Sequence, residues 1–151
     1  MHVKNPNPNS NPNADLLNAV YQNSKMGIDS IDYIFPKIKN AGLKKDLASQ
    51  MAGYFKFVNR VSSKFDDING SPSDPLMLAK LPSMAYMKLK VAVDDSESHL
   101  AEMMIENSTA GLIEAQKIYN RSKNLDCEIS QIACEAIYFE QKSINKLRNY
   151  L

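Results

Sequence analysis

Apolar residues recur at intervals of three and four along most of the chain, the spacing that places side chains on one face of an α-helix. The first two stripes lie within residues 14–40 and 43–68, and two more lie within residues 96–121 and 126–150. No Val/Ile/Thr run is bounded by the Asn-Gly or Asp-Gly turns that typify hairpins. The pattern therefore predicts an all-α protein with four long helices.

Helix-breaking and capping residues set the expected ends of the first two helices. Helix one is expected to begin near Asn13, a good N-cap residue, and Pro36 to kink or end it. Helix two is expected over residues 43–68, ended by the Asn-Gly-Ser-Pro sequence at 69–72. Because the connection between them is short, these helices should be antiparallel neighbours.

Residues 69–94 form a longer connection with a short helical segment. Pro82 should break this segment, and Ser83 could cap a second piece or open one helix that runs on into helix three. Asp94 and Glu97 have the spacing of a capping box for helix three. Two hairpins joined by a longer connection predict an antiparallel, ferritin-like four-helix bundle. An up-down bundle without a crossover is the alternative, if the connection is too short to span the bundle.

The amino-terminal segment differs in composition from the rest. Residues 5–13 consist almost entirely of Asn and Pro and contain nothing apolar to bury. We therefore expect residues 1–13 to be a disordered tail and residues 14–151 to be the bundle. The start of the chain lacks the apolar region of a secretory signal, and no apolar run is long enough to span a membrane. These features favour a cytoplasmic protein, or one built into a larger assembly.

The charge balance bears on the choice of partner, and the cysteine spacing bears on disulfide formation. The chain has 18 basic and 17 acidic residues without a basic stripe, which argues against nucleic acid as a partner. Cys127 and Cys134 lie seven residues apart on one predicted helix. Their Cα atoms would then be about 10 Å apart, too far for a disulfide between them.

Two local segments stand out on the predicted helices. Helix one contains Tyr21-Gln22-Asn23-Ser24-Lys25-Met26-Gly27, and helix three contains Ser98-His99-Leu100-Ala101-Glu102-Met103-Met104-Ile105. Together with the helix plan of residues 14–151, they resemble small bacterial ferritin-like proteins of unknown function, a group that includes spore-coat-type bundles. The resemblance implies a four-helix bundle and no particular activity, because a fold does not fix a function.

The residues required for a ferritin-like di-iron centre are missing from the pattern. Such a centre needs a Glu on each of two helices and Glu-x-x-His on the other two. The only histidines are His2 and His99, no Glu-x-x-His occurs, and helix two contains no Glu. At the middle of helices one and two, the residues expected to face inward are Ser24 and Gln50. We therefore predict that no standard di-iron centre forms and that Glu140 lies on the outer face of helix four.

A smaller metal site remains an alternative. His99, Glu102 and Glu106 share one predicted helix face and could hold a single transition metal ion, although a solvated polar face explains the same spacing. Several of the 8 methionines lie in the middle third of the chain, where thioethers could bind Cu(I) but more commonly fill gaps between helices. Tyrosines on the helices, with Gln50 among their candidate partners, suggest an internal polar layer.

Two functional hypotheses follow. The first is a non-enzymatic structural or interaction bundle of a bacterium, with a second copy or an assembly such as a spore coat as its partner and no cofactor. The second is a ferritin-like protein that binds one metal ion or a small ligand through His99, Glu102, Glu106 and nearby Met residues. Neither an activated nucleophile nor a Gly-rich phosphate loop can be placed in the sequence.

Overall fold

The computed structural model describes residues 11–73 and 77–151, and the side chains of residues 77–83 lie outside that description. All regular structure within these ranges is helical, which confirms the all-α prediction. Five α-helices are present in the described residues: α1 (Pro12–Ile34), α2 (Ala41–Asp67), α3 (Met77–Val93), α4 (Glu97–Arg121) and α5 (Cys127–Leu147). Single 3₁₀ turns follow α1 and α5, at Phe35–Lys37 and Arg148–Tyr150. The predicted tail lies largely outside the described residues.

The start of α1 differs from the prediction by two residues. Asn11 is the N-cap, because its side chain accepts a hydrogen bond from the N–H of Asn13, and Pro12 occupies the first turn. Asn13, the predicted cap, instead accepts a bond of 2.9 Å from the N–H of Asp126 at the start of α5. Pro36 falls in the 3₁₀ turn after α1, as expected of a residue that ends a helix.

Asn40 is the N-cap of α2, and its side chain accepts a hydrogen bond of 3.0 Å from the N–H of Leu43. At the other end, Asn69 adopts a positive φ of 52° just after the last residues of α2. A left-handed backbone conformation of this kind commonly closes a helix, and Asn tolerates it better than most residues.

Two predictions about the long connection are wrong. Pro82 does not break the helix, since α3 is continuous from Met77 to Val93. Pro82 is its sixth residue, so the missing N–H removes a single bond near the helix start and leaves the rest of the helix intact. Asp94 does not cap α4 either. Ser96 is the N-cap and accepts a bond of 3.4 Å from the N–H of His99, while Asp94 accepts one of 2.8 Å from the N–H of Ser96.

Contacts between the long helices define their directions. The late part of α1 meets the early part of α4, where the Asn107 side chain donates to the Ser30 hydroxyl at 3.3 Å. The early part of α2 meets the end of the chain after α5, where the Tyr150 hydroxyl donates to Asp46 at 2.8 Å. Both pairs are antiparallel. Glu97 at the start of α4 accepts hydrogen bonds from the chain just before α2, so α2 and α4 begin at the same end.

The connection between α2 and α4 must therefore return along the length of the molecule. The 17 residues of α3 supply about 25 Å of that path at about 1.5 Å per residue. Met87 and Val91 of α3 are buried in a cluster with residues of α1 and α4. Lys90 of α3 also contacts Glu106 of α4 at 2.7 Å. The helix thus lies against α1 and α4.

Among the residues whose side chains are described, the apolar core consists of two clusters, one toward each end of the bundle. The first cluster includes Ile31, Ile34, Leu43, Leu47, Leu100, Met104 and Leu147, and the second includes Leu16, Leu17, Phe57, Val61, Ile118, Ile129 and Ala133. Along each of α1, α2, α4 and α5, polar residues are buried between the positions that feed the two clusters. In the part of the chain that the structure describes, no helix is both long enough and apolar enough to cross a membrane.

Candidate functional site: a buried polar centre

Polar side chains from α1, α2, α4 and α5 converge between the two apolar clusters. We call this group the polar centre, and its members are Asn23, Gln50, Tyr54, Ser108 and Glu140. Gln50, Tyr54, Ser108 and Glu140 are all buried, and Asn23 is partly buried. Because four helices each contribute a side chain, the polar centre depends on their relative positions.

Glu140 of α5 is the buried carboxyl group of the polar centre, with only 3% of its surface exposed. Its Oε1 accepts a hydrogen bond of 2.7 Å from the side-chain amide of Asn23, and its Oε2 accepts one of 3.0 Å from the Tyr54 hydroxyl. Each carboxyl oxygen therefore has a protein donor, one from α1 and one from α2. This is the arrangement expected of a buried polar group, since an unpaired one is costly.

The network continues from Tyr54 across the bundle. The Gln50 amide donates to the Tyr54 hydroxyl at 3.0 Å and to the Ser108 hydroxyl at 3.1 Å. Tyr54 and Ser108 oxygens lie 3.5 Å apart. No buried side-chain nitrogen or oxygen in the described residues lacks a hydrogen-bond partner. The polar centre thus satisfies its own donors and acceptors.

Burial raises the pKa of both acidic groups of the polar centre, Glu140 and Tyr54. Desolvation raises the pKa of Glu140 from 4.5 to about 7, although the hydrogen bonds that it accepts oppose the shift. Desolvation, followed by the nearby charge of Glu140, raises the pKa of Tyr54 well above its usual range. Tyr54 consequently stays a hydroxyl donor at ordinary pH, while Glu140 changes its charge near neutrality.

Two helix glycines make room for the polar centre. A Cβ atom on Gly27 of α1 would lie 2.3 Å from the Tyr54 ring, and one on Gly111 of α4 would lie 1.9 Å from Oδ1 of Asn23. Neither contact is sterically possible, so a larger residue would displace the side chain. A helix glycine destabilises by about 1 kcal/mol relative to Ala, yet here it permits close approach.

The predicted metal-binding residues are only partly brought together. Nδ1 of His99 lies 3.4 Å from Oε2 of Glu102, whereas Glu106 is paired with Lys90 of α3 at 2.7 Å. All three lie on α4 away from the polar centre. Among the described residues, no group of three or more His, Cys, Asp or Glu side chains is arranged to hold a metal ion. The single-metal hypothesis remains a prediction.

Sequence reasoning identified part of the polar centre and missed its carboxyl group. Ser24 and Gln50 are buried, as predicted, and Gln50 is a partner of Tyr54. Glu140 was expected on the outer face, and that expectation is wrong. The signal was present in the spacing, because Ala136, Glu140, Ser143 and Leu147 follow one another at intervals of three and four on the buried face of α5.

The remaining candidate side chains have structural positions. Met87, Met103 and Met104 are buried in the first apolar cluster, in agreement with the packing interpretation of the methionines. Cys127 and Cys134 are both exposed, and no disulfide joins them.

Comparison of the chain with models of protein families, with curated proteins and with solved structures finds no match. The resemblance to ferritin-like proteins therefore remains an expectation from the sequence.

Proposed function

We propose that this chain is a non-enzymatic structural or interaction protein, a four-helix bundle of ferritin-like plan without a di-iron centre. The helix directions support the plan, because α1 and α2 run antiparallel, α4 and α5 run antiparallel, and α3 carries the chain between the two pairs. A bacterial cytoplasm or a spore-type assembly is the setting that the resemblance implies.

The observation that carries this proposal is the self-satisfied polar centre. In a ferritin-like metal protein, inward carboxylates at the middle of the bundle would bind the metal. Here Glu140 is the one buried carboxylate among the described residues, and its oxygens accept hydrogen bonds from Asn23 and Tyr54. Each remaining helix presents an amide or a hydroxyl group. Such a centre is suited to fixing the register of four helices.

The outer face of α3 supports an interaction role. Tyr86, Leu89 and Val93, which we call the α3 stripe, are 59%, 66% and 82% exposed and follow helical spacing. We infer that a second copy of the chain covers this stripe. An antiparallel pair of α3 helices that packs Leu89 on the partner's Val93 also brings Lys88 beside the partner's Asp94. The two-fold axis creates the same pair a second time, so the charges beside the α3 stripe are complementary to those of an identical copy, as a two-fold interface requires.

Sedimentation velocity tests this interaction. The wild-type protein should form dimers as its concentration rises from micromolar to millimolar, and Leu89→Lys should abolish them because it places a charge in the interface. The matched control is Ile113→Lys, since Ile113 is exposed on α4 outside the stripe. A wild-type protein that stays monomeric throughout, or an equal effect of both substitutions, contradicts the proposed interface.

A second candidate function is the binding of one transition metal ion at His99. The contact of 3.4 Å between His99 and Glu102 favours it, and Glu106 would have to leave Lys90 to join them. Metal analysis of protein purified without a histidine tag separates the two candidates. A bound ion that is lost in His99→Ala, with unchanged circular dichroism, would favour the metal site.

A further inference from the structure

A cavity of about 120 Å³ lies between α1 and α4, beside the polar centre. Its lining includes Gln22, Asn23 and Met26 of α1, Tyr54 of α2, and Asn107 and Glu114 of α4. A much smaller void shares Asn23, Tyr54 and Gly111 with it and extends to Glu140. The cavity therefore lies next to the buried carboxyl group, with Asn23 between them.

Each amide group of the cavity donates at least one hydrogen bond to the protein itself. The amide nitrogen of Gln22 donates to Ser73 at 3.1 Å, that of Asn23 to Glu140 at 2.7 Å, and that of Asn107 to Ser30 at 3.3 Å. The carbonyl oxygens of these three side chains accept none of these bonds. Since an amide oxygen only accepts hydrogen bonds, a ligand that binds these oxygens must supply the donors.

The charge of the lining favours a cation. Glu114 is exposed at the cavity and carries a carboxylate, and the described lining contains no Lys, Arg or His. Tyr54 contributes an aromatic ring, which attracts a cation over its face. Ala19, Met26 and Ala110 add apolar surface that suits a short alkyl chain. A dry apolar cavity of about 150 Å³ accommodates benzene, so the volume here suits a molecule of about five heavy atoms.

We propose that the cavity between α1 and α4 binds a small primary ammonium compound, with the N–H donors on the amide oxygens and Glu114, and the alkyl chain against Met26 and the alanines. This inference is independent of the proposed interaction role. Gly27 and Gly111 also line the cavity, and their missing side chains let Tyr54 and Asn23 approach its wall.

A cavity on the opposite side of the molecule provides an internal comparison. It has about 130 Å³ and lies between α2 and α5, and its lining includes Lys142, Lys146 and Asp46 together with Ser49 and Ser143. Because Asp46 is paired with Lys146 at 3.8 Å, the two lysines and one aspartate leave this lining with a net positive charge, which should repel a cation. Size alone would direct a ligand to both cavities, whereas charge and hydrogen bonding direct it to the one between α1 and α4.

Titration of the full chain with n-butylammonium chloride, followed by amide NMR signals, tests the proposal. Saturable shifts should appear at Gly27 and Gly111 and not at Ser49 or Ser143. The neutral analogue n-butanol should bind about tenfold or more weakly. Glu114→Gln should weaken n-butylammonium binding by about two- to fivefold, the range for an exposed ion pair. Glu102→Gln, a control on the same helix outside the cavity, should leave binding unchanged.

The opposite results overturn the proposal. These are equal binding of n-butanol and n-butylammonium, shifts at Ser49 and Ser143, no saturable shift at millimolar ligand, or equal effects of the two Glu→Gln substitutions. Because Glu114 is exposed, loss of folding does not complicate its variant. Failure here leaves the dimerisation test of the proposed function unaffected.

Discussion

The side-chain amide of Asn23 on α1 donates a hydrogen bond of 2.7 Å to the carboxyl group of Glu140 on α5, two residues separated by 117 positions in the chain. The bond crosses the interior between two helices that are not the members of one hairpin. It therefore helps to fix how the pair α1–α2 is placed on the pair α4–α5.

Glu140 should make the stability of the protein depend on pH. Its pKa rises from 4.5 in the unfolded chain to about 7 in the folded protein, so the folded protein holds the proton more tightly. The free energy of unfolding should then be highest below pH 4.5 and fall as pH rises toward 7, by about 3 kcal/mol from this residue.

Urea unfolding of the wild type and Glu140→Gln at a series of pH values checks this prediction. The neutral Gln cannot ionise, so its stability relative to the wild type should increase between pH 4.5 and 7 and then level off. A difference between the two proteins that stays constant over that range would show that Glu140 does not titrate as a buried group.

The Tyr54 hydroxyl connects Glu140 to Gln50, and removing it should destabilise the fold. Tyr54→Phe leaves a carboxyl oxygen and an amide donor with one partner fewer in a buried site, which costs about 1–3 kcal/mol. Tyr138→Phe is the matched control, because Tyr138 is 67% exposed. Chemical denaturation should show a clearly lower free energy of unfolding for Tyr54→Phe and almost no change for Tyr138→Phe. Equal effects would mean that the hydroxyl of Tyr54 is not energetically important.

Gly27 should tolerate no side chain at all. A Cβ there would lie 2.3 Å from the Tyr54 ring, so Gly27→Ala must displace an aromatic ring in the core. We expect the free energy of unfolding to fall by about 1–3 kcal/mol, as it does for other overpacked cores. An ordinary helix glycine shows the opposite sign, since Ala is the better helix former by about 1 kcal/mol. A more stable Gly27→Ala protein would therefore contradict the close packing of Tyr54 on α1.

The sequence predicts where the long helices lie, but it does not predict which polar side chains meet inside the bundle. The apolar stripes predict α1, α2, α4 and α5 because each helix has one face that leaves water, and this preference is visible in the spacing alone. Glu140 was missed because a Glu residue is usually solvated, and Phe139 beside it offered an apolar residue for the same stripe. Phe139 does pack against both apolar clusters, and the burial of Glu140 beside it depends on the donors that Asn23 and Tyr54 supply from other helices.

The candidate metal residues illustrate the same limit. The spacing of His99 and Glu102 correctly places them on one face of α4, where they are in contact. The pairing of Glu106 with Lys90 depends on how α3 packs against α4, and residues 16 positions apart on separate helices have no spacing rule. Proline usually breaks or kinks a helix. Pro82, as the sixth residue of α3, nevertheless leaves that helix continuous.

Iron content tests the central claim, that the polar centre is completed by the protein's own hydrogen bonds and forms no di-iron centre. The protein, without a histidine tag, is incubated aerobically with ferrous iron and dialysed, and the retained metal is measured by mass spectrometry. We predict far less than two irons per chain, with any retained ion lost in His99→Ala and unaffected by Glu140→Gln. Two tightly held irons per chain that disappear in Glu140→Gln would contradict the account.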